Sequence, residues 1–373
     1  MKNPVKLSFT AFAFISLIPG VGLAEPDRRF GVGENPAAET VYTLSNDPAG
    51  NEVLAFHRYG DGQMAPAGRF ATGGTGTGSG LGNQGALALS ENARYLFAVN
   101  AGSNDLSVFR IGRDGLELTD RTAEEGATPV SVAVSRNRVY VVNSGDDSVF
   151  GFRFDYRTGK LRSLPQSHLK LSGDGTAPAQ ISFDRTGDTL VVTEKATNKI
   201  TTFSLKENGS PEARHSIDSA GSTPFGFAFG KRDQFFVSEA QGGAPNGATV
   251  SSYQLLEDGT VQLIDGAVAA GQTAACWLAT TPTGRIAFTA DTPANAISAF
   301  SIDAAGHLSL LHTRAAEENR PTDLAVSTDG RMLYALSGGD HSVGVYRILK
   351  GGALQKLRTL DGLPAGVTGL VVR

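Results

Sequence analysis

Apolar and polar residues alternate in short runs along most of the chain, and no stretch keeps a helical period over three turns. The clearest unit runs from Pro129–Val134 (PVSVAV) through Arg138–Asn143 (RVYVVN) to a polar turn at Ser144–Asp147. A third run, Ser148–Phe154, follows, and then a fourth marked by Gly159-Lys160-Leu161. Alternation with period two puts successive side chains on opposite faces of a strand, so this unit predicts four strands joined by tight turns. The unit recurs. Ala86–Leu89 leads to Tyr95–Asn100, Pro178–Phe183 to Thr189–Glu194, and Pro224–Phe229 to Gln234–Glu239. Trp277–Thr280 leads to Arg285–Asp291, and Pro321–Val326 to Met332–Ser337. Units begin near residues 84, 129, 178, 224, 275 and 321, with a further start near 367, so the period is 45 to 51 residues. Four strands in a period of that length predict propeller blades.

The two ends complete the count. Thr40–Ser45 (TVYTLS) has the pattern of a second strand with no first strand before it, and Val367–Val372 (VTGLVV) that of a first strand with nothing after it. Paired, they form one composite blade and remove the open sheet edges that invite aggregation. With six internal units, the expectation is an all-β, seven-bladed β-propeller of four-stranded blades over residues 40–373.

Composition changes this picture little. The 46 glycines among 373 residues fit a fold with many tight turns. Lys2 and Lys6, the apolar run Leu7–Ile18, the break at Pro19-Gly20 and the small residues of Gly22-Leu23-Ala24 predict an export signal over residues 1–24. Residues 25–39, polar and with Pro26 and Pro36, read as a linker. The expected product is a periplasmic or secreted monomer with no membrane insertion after signal cleavage. The formal charge is −4 and no basic cluster stands out, which argues against nucleic acid as a partner. A single cysteine, Cys276, excludes an internal disulfide, and its apolar neighbours make it a small buried hydrophobe. Gly73–Gly85 (GGTGTGSGLGNQG) reads as a flexible blade connection. Its G-x-G-x-x-G letters are followed by a strand rather than a helix, so no dinucleotide site is expected.

The strand ending at Asn143, the run Asn295–Ile302 (NAISAFSI) and the turn Asp329-Gly330-Arg331 resemble the lactonase-type seven-bladed propellers. That family includes bacterial 6-phosphogluconolactonases and fungal carboxymuconate-lactonising enzymes. The segment Ala274–Ala279 followed by Thr283-Gly284-Arg285 is similar to its exported bacterial branch. The resemblance covers about residues 40–373 and implies a small-molecule lactone or sugar-like ligand with no cofactor. It also implies that residues of the first strands approach the central channel, with His and Arg there in the cytosolic enzymes. Here those positions hold Ser131, Gln180, Gly226, Trp277 and Asp323, and Arg320 is the one basic residue at such a strand entrance. This departure points away from a phosphorylated lactone, because phosphate binding favours Arg or Lys.

In a propeller, the loops before the first strands and the ends of the second strands share one face. Asn100, Asn143, Glu194, Glu239, Asp291 and Ser337 therefore fall on one ring. Asn, Asp and Ser there suit tight turns. Glu does not, so Glu194 and Glu239 read either as a solvated acidic rim or as a general base beside Arg320. The candidate catalytic set is Glu194, Glu239 and Arg320. The candidate substrate-binding set is Asn100, Asn143, Trp277, Asp291 and His341. Trp277 reads as core or as an aromatic platform for a sugar ring. The histidines lack metal-ligand spacing, and no metal site is expected. Two functions stay open: a lactonase with a carboxylate-activated water, and a non-catalytic propeller that binds a protein, peptide or glycan.

Overall fold

The computed structural model describes residues 38–373, so the export signal and most of the linker lie outside the described residues. Seven antiparallel sheets form the propeller, and each blade adds its strands from the channel outward in chain order. The exception is the composite blade, in which Thr368–Val372 lies innermost, followed by Glu39–Leu44, Glu52–Arg58 and Met64–Ala71. The ring therefore closes as the pattern of the two ends predicts. Thr43 Oγ1 donates to the carbonyl of Gly369 at 2.7 Å across this seam. A buried ion pair between Glu39 and Arg58 (2.9 Å), with the Tyr334 hydroxyl of the preceding blade donating to Glu39, ties the seam on its other side.

Strand bounds follow the repeat closely. The second strands Tyr95–Asn100, Arg138–Asn143, Thr189–Glu194, Gln234–Glu239 and Met332–Ser337 begin and end as the alternation predicts. Each is buried along its whole length because neighbouring blades cover both faces of the sheet. Outer strands such as Pro211–Asp218 alternate between half-buried and exposed positions. The third blade, the clearest in sequence, has the least regular outer edge. Its fourth strand is split into Lys160–Ser163 and Leu169–Lys170, both paired with Ser148–Asp155.

Two rings of left-handed backbone mark the upper face. One precedes the innermost strands: Gly85, Thr128, Ala177, Thr223, Ala274, Arg320 and Gly366 all have positive φ. The other lies in the turns between second and third strands: Asn46, Asn104, Asp147, Asn198, Asn246, Asn295 and His341. Side chains of the second ring hold backbone of the next blade. Asn104 accepts from the Thr128 amide (2.8 Å), Asn198 from Thr223 (2.6 Å) and Asn295 from Arg320 (3.0 Å). Blade seven breaks the pattern. His341 stands where the other six blades place Asn or Asp, although its carbonyl accepts from the Leu363 amide at 2.9 Å as those of Asn104, Asp147, Asn198 and Asn295 accept from the chain leading out of their blades.

Candidate functional site

The site is built on the innermost strands. In five of them the ladder register shifts just after the first residue, as between Pro178 and Gln180 or Pro321 and Asp323. Side chains that face the channel then satisfy amides of the neighbouring strands. Ser131 Oγ accepts from the Ile181 amide (3.2 Å), and Gln180 pairs with Phe227 through both its oxygen (2.8 Å) and its nitrogen (3.0 Å). Asp323 accepts from the amides of Leu324 (2.8 Å) and Leu370, and its burial raises its pKa well above the usual carboxylate range. Gly226 has no side chain to offer. Its place is taken by Gln84, whose amide group pairs with the backbone of Leu278 at 2.8 and 3.1 Å. A Cβ at Gly226 would come within 2.0 Å of the Gln84 oxygen, so glycine is required there.

Gln84 belongs to the glycine-rich stretch, which is not a loose connection. Asn46 cradles its first half, donating to Ser79 O (2.6 Å) and accepting from the Thr77 amide (2.9 Å). Its second half, Gly80–Gly85, crosses the channel as a plug. The Gln84 amide donates to Ala179 O (3.0 Å), the Val132 amide to Gly85 O (2.9 Å) and the Trp277 indole to Asn83 O (2.7 Å). The Asn83 side chain donates to Val130 O and accepts from Thr368 Oγ1 (3.1 Å). Positive φ at Gly82 and Gly85 lets the backbone turn twice inside the ring.

Between this plug and the mouth of blades six, seven and one lies a cavity of about 340 Å³. Gly80, Leu81, Gly82, Trp277, Thr292, Arg320, Thr322, Gly338, His341, Gly366, Val367 and Thr368 line it. Three of the sequence-predicted residues, Trp277, Arg320 and His341, therefore share one pocket. Arg320 and His341 are exposed, and both hold left-handed backbone at φ 49° and 52°. Trp277 is a wall rather than an open platform: it is buried, 4.9 Å from Phe225, and only part of it reaches the cavity.

The other candidates lie elsewhere. Asn100, Asn143, Glu194, Glu239, Asp291 and Ser337 do form equivalent strand ends, but each is wholly buried and none lines the cavity. Glu194 accepts from the Ser172 amide (3.0 Å) and the hydroxyls of Ser172, Thr197 (2.7 Å) and Thr201 (2.6 Å). Glu239 accepts from the Gly221 amide (2.9 Å), Ser219 (3.2 Å), Ser251 (2.6 Å) and Thr249. Asp291 is held by Thr289 (3.0 Å) and Ser298 (2.5 Å), and burial pushes its pKa up to about 7. Asn100 bonds Asn51 (2.9 Å), Asp105 (2.5 Å) and Ser107 (2.8 Å), and Ser337 bonds the Asn319 carbonyl (2.6 Å). Asn143 pairs with Ser148 (3.3 Å) and with its amide lies against Glu124. The acidic ring is thus neither a solvated rim nor a set of bases beside Arg320. Glu194 and Glu239 accept from hydroxyl and amide donors that join their blades to the preceding loops, and Asp291 accepts from two hydroxyls of its own blade.

Sequence reasoning missed the plug and the threonines at 292, 322 and 368. One signal was available for His341, the break in an Asn/Asp pattern shared by six turns. Cys276 is half-buried, and burial pushes its thiol up to about 12. Lys195 is sequestered: its ammonium donates to Gly82 O and lies 4.9 Å over the Phe225 ring, and burial pushes its pKa down to about 8.

The family described as lactonase, seven-bladed β-propeller, matches residues 41–173 and 243–366. The chain belongs to that family. A 6-phosphogluconolactonase of Yersinia pestis is 24% identical over 293 residues, 75% of this chain and 84% of that protein. Among solved structures, a periplasmic gluconolactonase of Pseudomonas aeruginosa superposes with a TM-score of 0.72 at 15% identity, covering 88% of this chain and 98% of that one. A protein from Lactobacillus plantarum gives 0.75 at 15% identity, covering 90% and 99%. The structural likenesses at that identity carry the lactonase-propeller fold alone. Among the described residues, no helix is long and apolar enough to cross a membrane.

Proposed function

We propose that this lactonase propeller hydrolyses a small sugar-like lactone in the cavity beside the plug. The observation that carries this reading is a pair of departures from the repeat that meet in one pocket. Bulky side chains in left-handed backbone cost on the order of 1 to 3 kcal/mol, and such strain concentrates at functional sites. Arg320 and His341 are the largest residues of their two rings, and both face this cavity.

The chemistry follows from the groups present. His341 takes a proton from water as the water oxygen attacks the lactone carbonyl carbon. The carbonyl oxygen becomes an oxyanion beside the Arg320 guanidinium. When the tetrahedral intermediate collapses, the ring C–O bond breaks and the imidazolium returns its proton to the leaving alkoxide. The products are a hydroxy acid and the unchanged enzyme. Thr292, Thr322 and Thr368, whose hydroxyl protons go to Pro321 O, Leu336 O and Asn83, supply acceptor oxygens for the hydroxyl groups of the ring, and Trp277 and Val367 supply apolar wall. The base of this scheme is an imidazole rather than a carboxylate, because Glu194 and Glu239 already accept four donors each.

A periplasmic site of action fits the export-type pattern of residues 1–24 and the description of the Pseudomonas relative. The test is hydrolysis of a lactone panel by residues 25–373. Ring opening of a sugar lactone above the spontaneous rate, abolished in Arg320→Gln, is the expected result. No activity on sugar lactones, muconolactones or acyl-homoserine lactones would defeat the reading and favour a binding propeller.

A further inference from the structure

We propose that the Gly80–Gly85 plug is the specificity element of this pocket: by covering Lys195 it leaves a single cation for the ligand, and so selects unphosphorylated lactones. The inference rests on the pocket assignment above and concerns which lactone enters it.

The argument is one of charge and cover. Among the described residues that line the cavity, Arg320 is the only lysine or arginine. A second cation stands next to the cavity wall. Lys195 follows the second strand of blade four, and its Nζ would lie 3.6 Å from a Cβ at Gly82, itself a wall residue. That ammonium is spent on backbone: it donates to the carbonyl of Gly82 and, at 3.4 Å, to that of Pro178, and the Phe225 ring closes it from another side. A phosphate dianion desolvated against one guanidinium lacks the clustered donors such groups require. A neutral ring needs only hydroxyl, amide and apolar wall, all of which the cavity has. The plug is also held too firmly to yield to a ligand. Its Asn83 and Gln84 side chains bond strands of blades one, three and six.

Trp277 is the only tryptophan and lines the cavity, so its emission reports occupancy without any turnover. Residues 25–373 would be titrated with gluconolactam, a neutral lactone analogue that does not hydrolyse, and separately with inorganic phosphate. The expected result is a saturable change with the lactam and none with millimolar phosphate. Gly226→Ala, which expels the Gln84 amide, should create a saturable response to millimolar phosphate where the unaltered protein has none, and adding Lys195→Met should remove that gain. A phosphate response in the unaltered protein as strong as that to the lactam overturns the proposal. So does a gain in Gly226→Ala that survives Lys195→Met. Should Gly226→Ala not fold, Lys195→Met alone decides: a phosphate response present in the unaltered protein and lost in this variant means that Lys195 is not covered. A silent lactam with phosphate also silent defeats the lactone pocket while leaving the cover in place, so the two failures are distinguishable.

Discussion

Blades four and seven have the same four strands and the same turns, and they use their polar residues in opposite ways. Blade four ends its second strand with Glu194, sealed from solvent by three hydroxyls and an amide. Blade seven ends the same strand with Ser337, follows it with His341 in a turn that elsewhere carries Asn or Asp, and is preceded by an exposed Arg320. The acid looks the more chemical residue in sequence, yet it serves as mortar between blades. The residues of blade seven that break the repeat stay open and line the cavity. In this repeated fold, then, the polar residues at the shared strand ends are bonded into the frame, and the open cavity lies where one copy departs from its siblings.

The comparison can be broken in four ways. The frame depends first on closure. Deleting residues 365–373 strips the innermost strand from the composite blade and should give insoluble protein, read by soluble yield and light scattering. Next, His341→Asn restores the residue type of the other blades. It should lower kcat about 10²- to 10⁴-fold while leaving the melting temperature equal or higher. Lost stability with retained activity would make His341 frame rather than site. Third, Glu194→Gln combined with Glu239→Gln should cost about 1 to 3 kcal/mol per site in chemical denaturation, because an amide nitrogen then faces donors. Activity per folded molecule should hold. A large fall in kcat with unchanged stability would return these acids to the catalytic role that their positions first suggested.

The smallest effect is one of pH. Burial holds the Asp291 carboxyl at about 7 in the folded chain, above its ordinary value. Between pH 4 and 7 the folded state therefore binds the proton that the unfolded state releases. This group's contribution is complete at pH 4 and is lost as pH rises through 7. Asp291→Asn should flatten that decline and melt higher at pH 7.5 by on the order of 5 °C, a difference that narrows toward pH 4.

The fold could be read from the sequence because its signals are local. Alternation within Arg138–Asn143 and its copies depends on neighbours one and two residues away, and the repeat averages out the exceptions. The site was legible only in part. Position in the repeat put Arg320, Trp277 and His341 near one mouth, and the structure lines one cavity with them. What misled was burial at the strand ends, since a Glu at the end of Thr189–Glu194 looks exposed until Ser172, from the preceding loop, is placed on it. The plug was invisible for a related reason. Gln84 meets Leu278 across 194 residues of chain, and a run of glycines carries no pattern that names its partners.

The composite blade also sets a schedule. Its strand Glu39–Leu44 is made first among the described strands and its innermost strand Thr368–Val372 last, with the Thr43–Gly369 bond spanning 326 residues. Pairing at such separation is slow, because the chain ends must find one another before the contact repays the lost freedom. Until those two strands pair, the other six blades form an open arc, and the blade at each of its ends lacks a neighbour. One seam thus decides whether seven sheets make an arc or a ring.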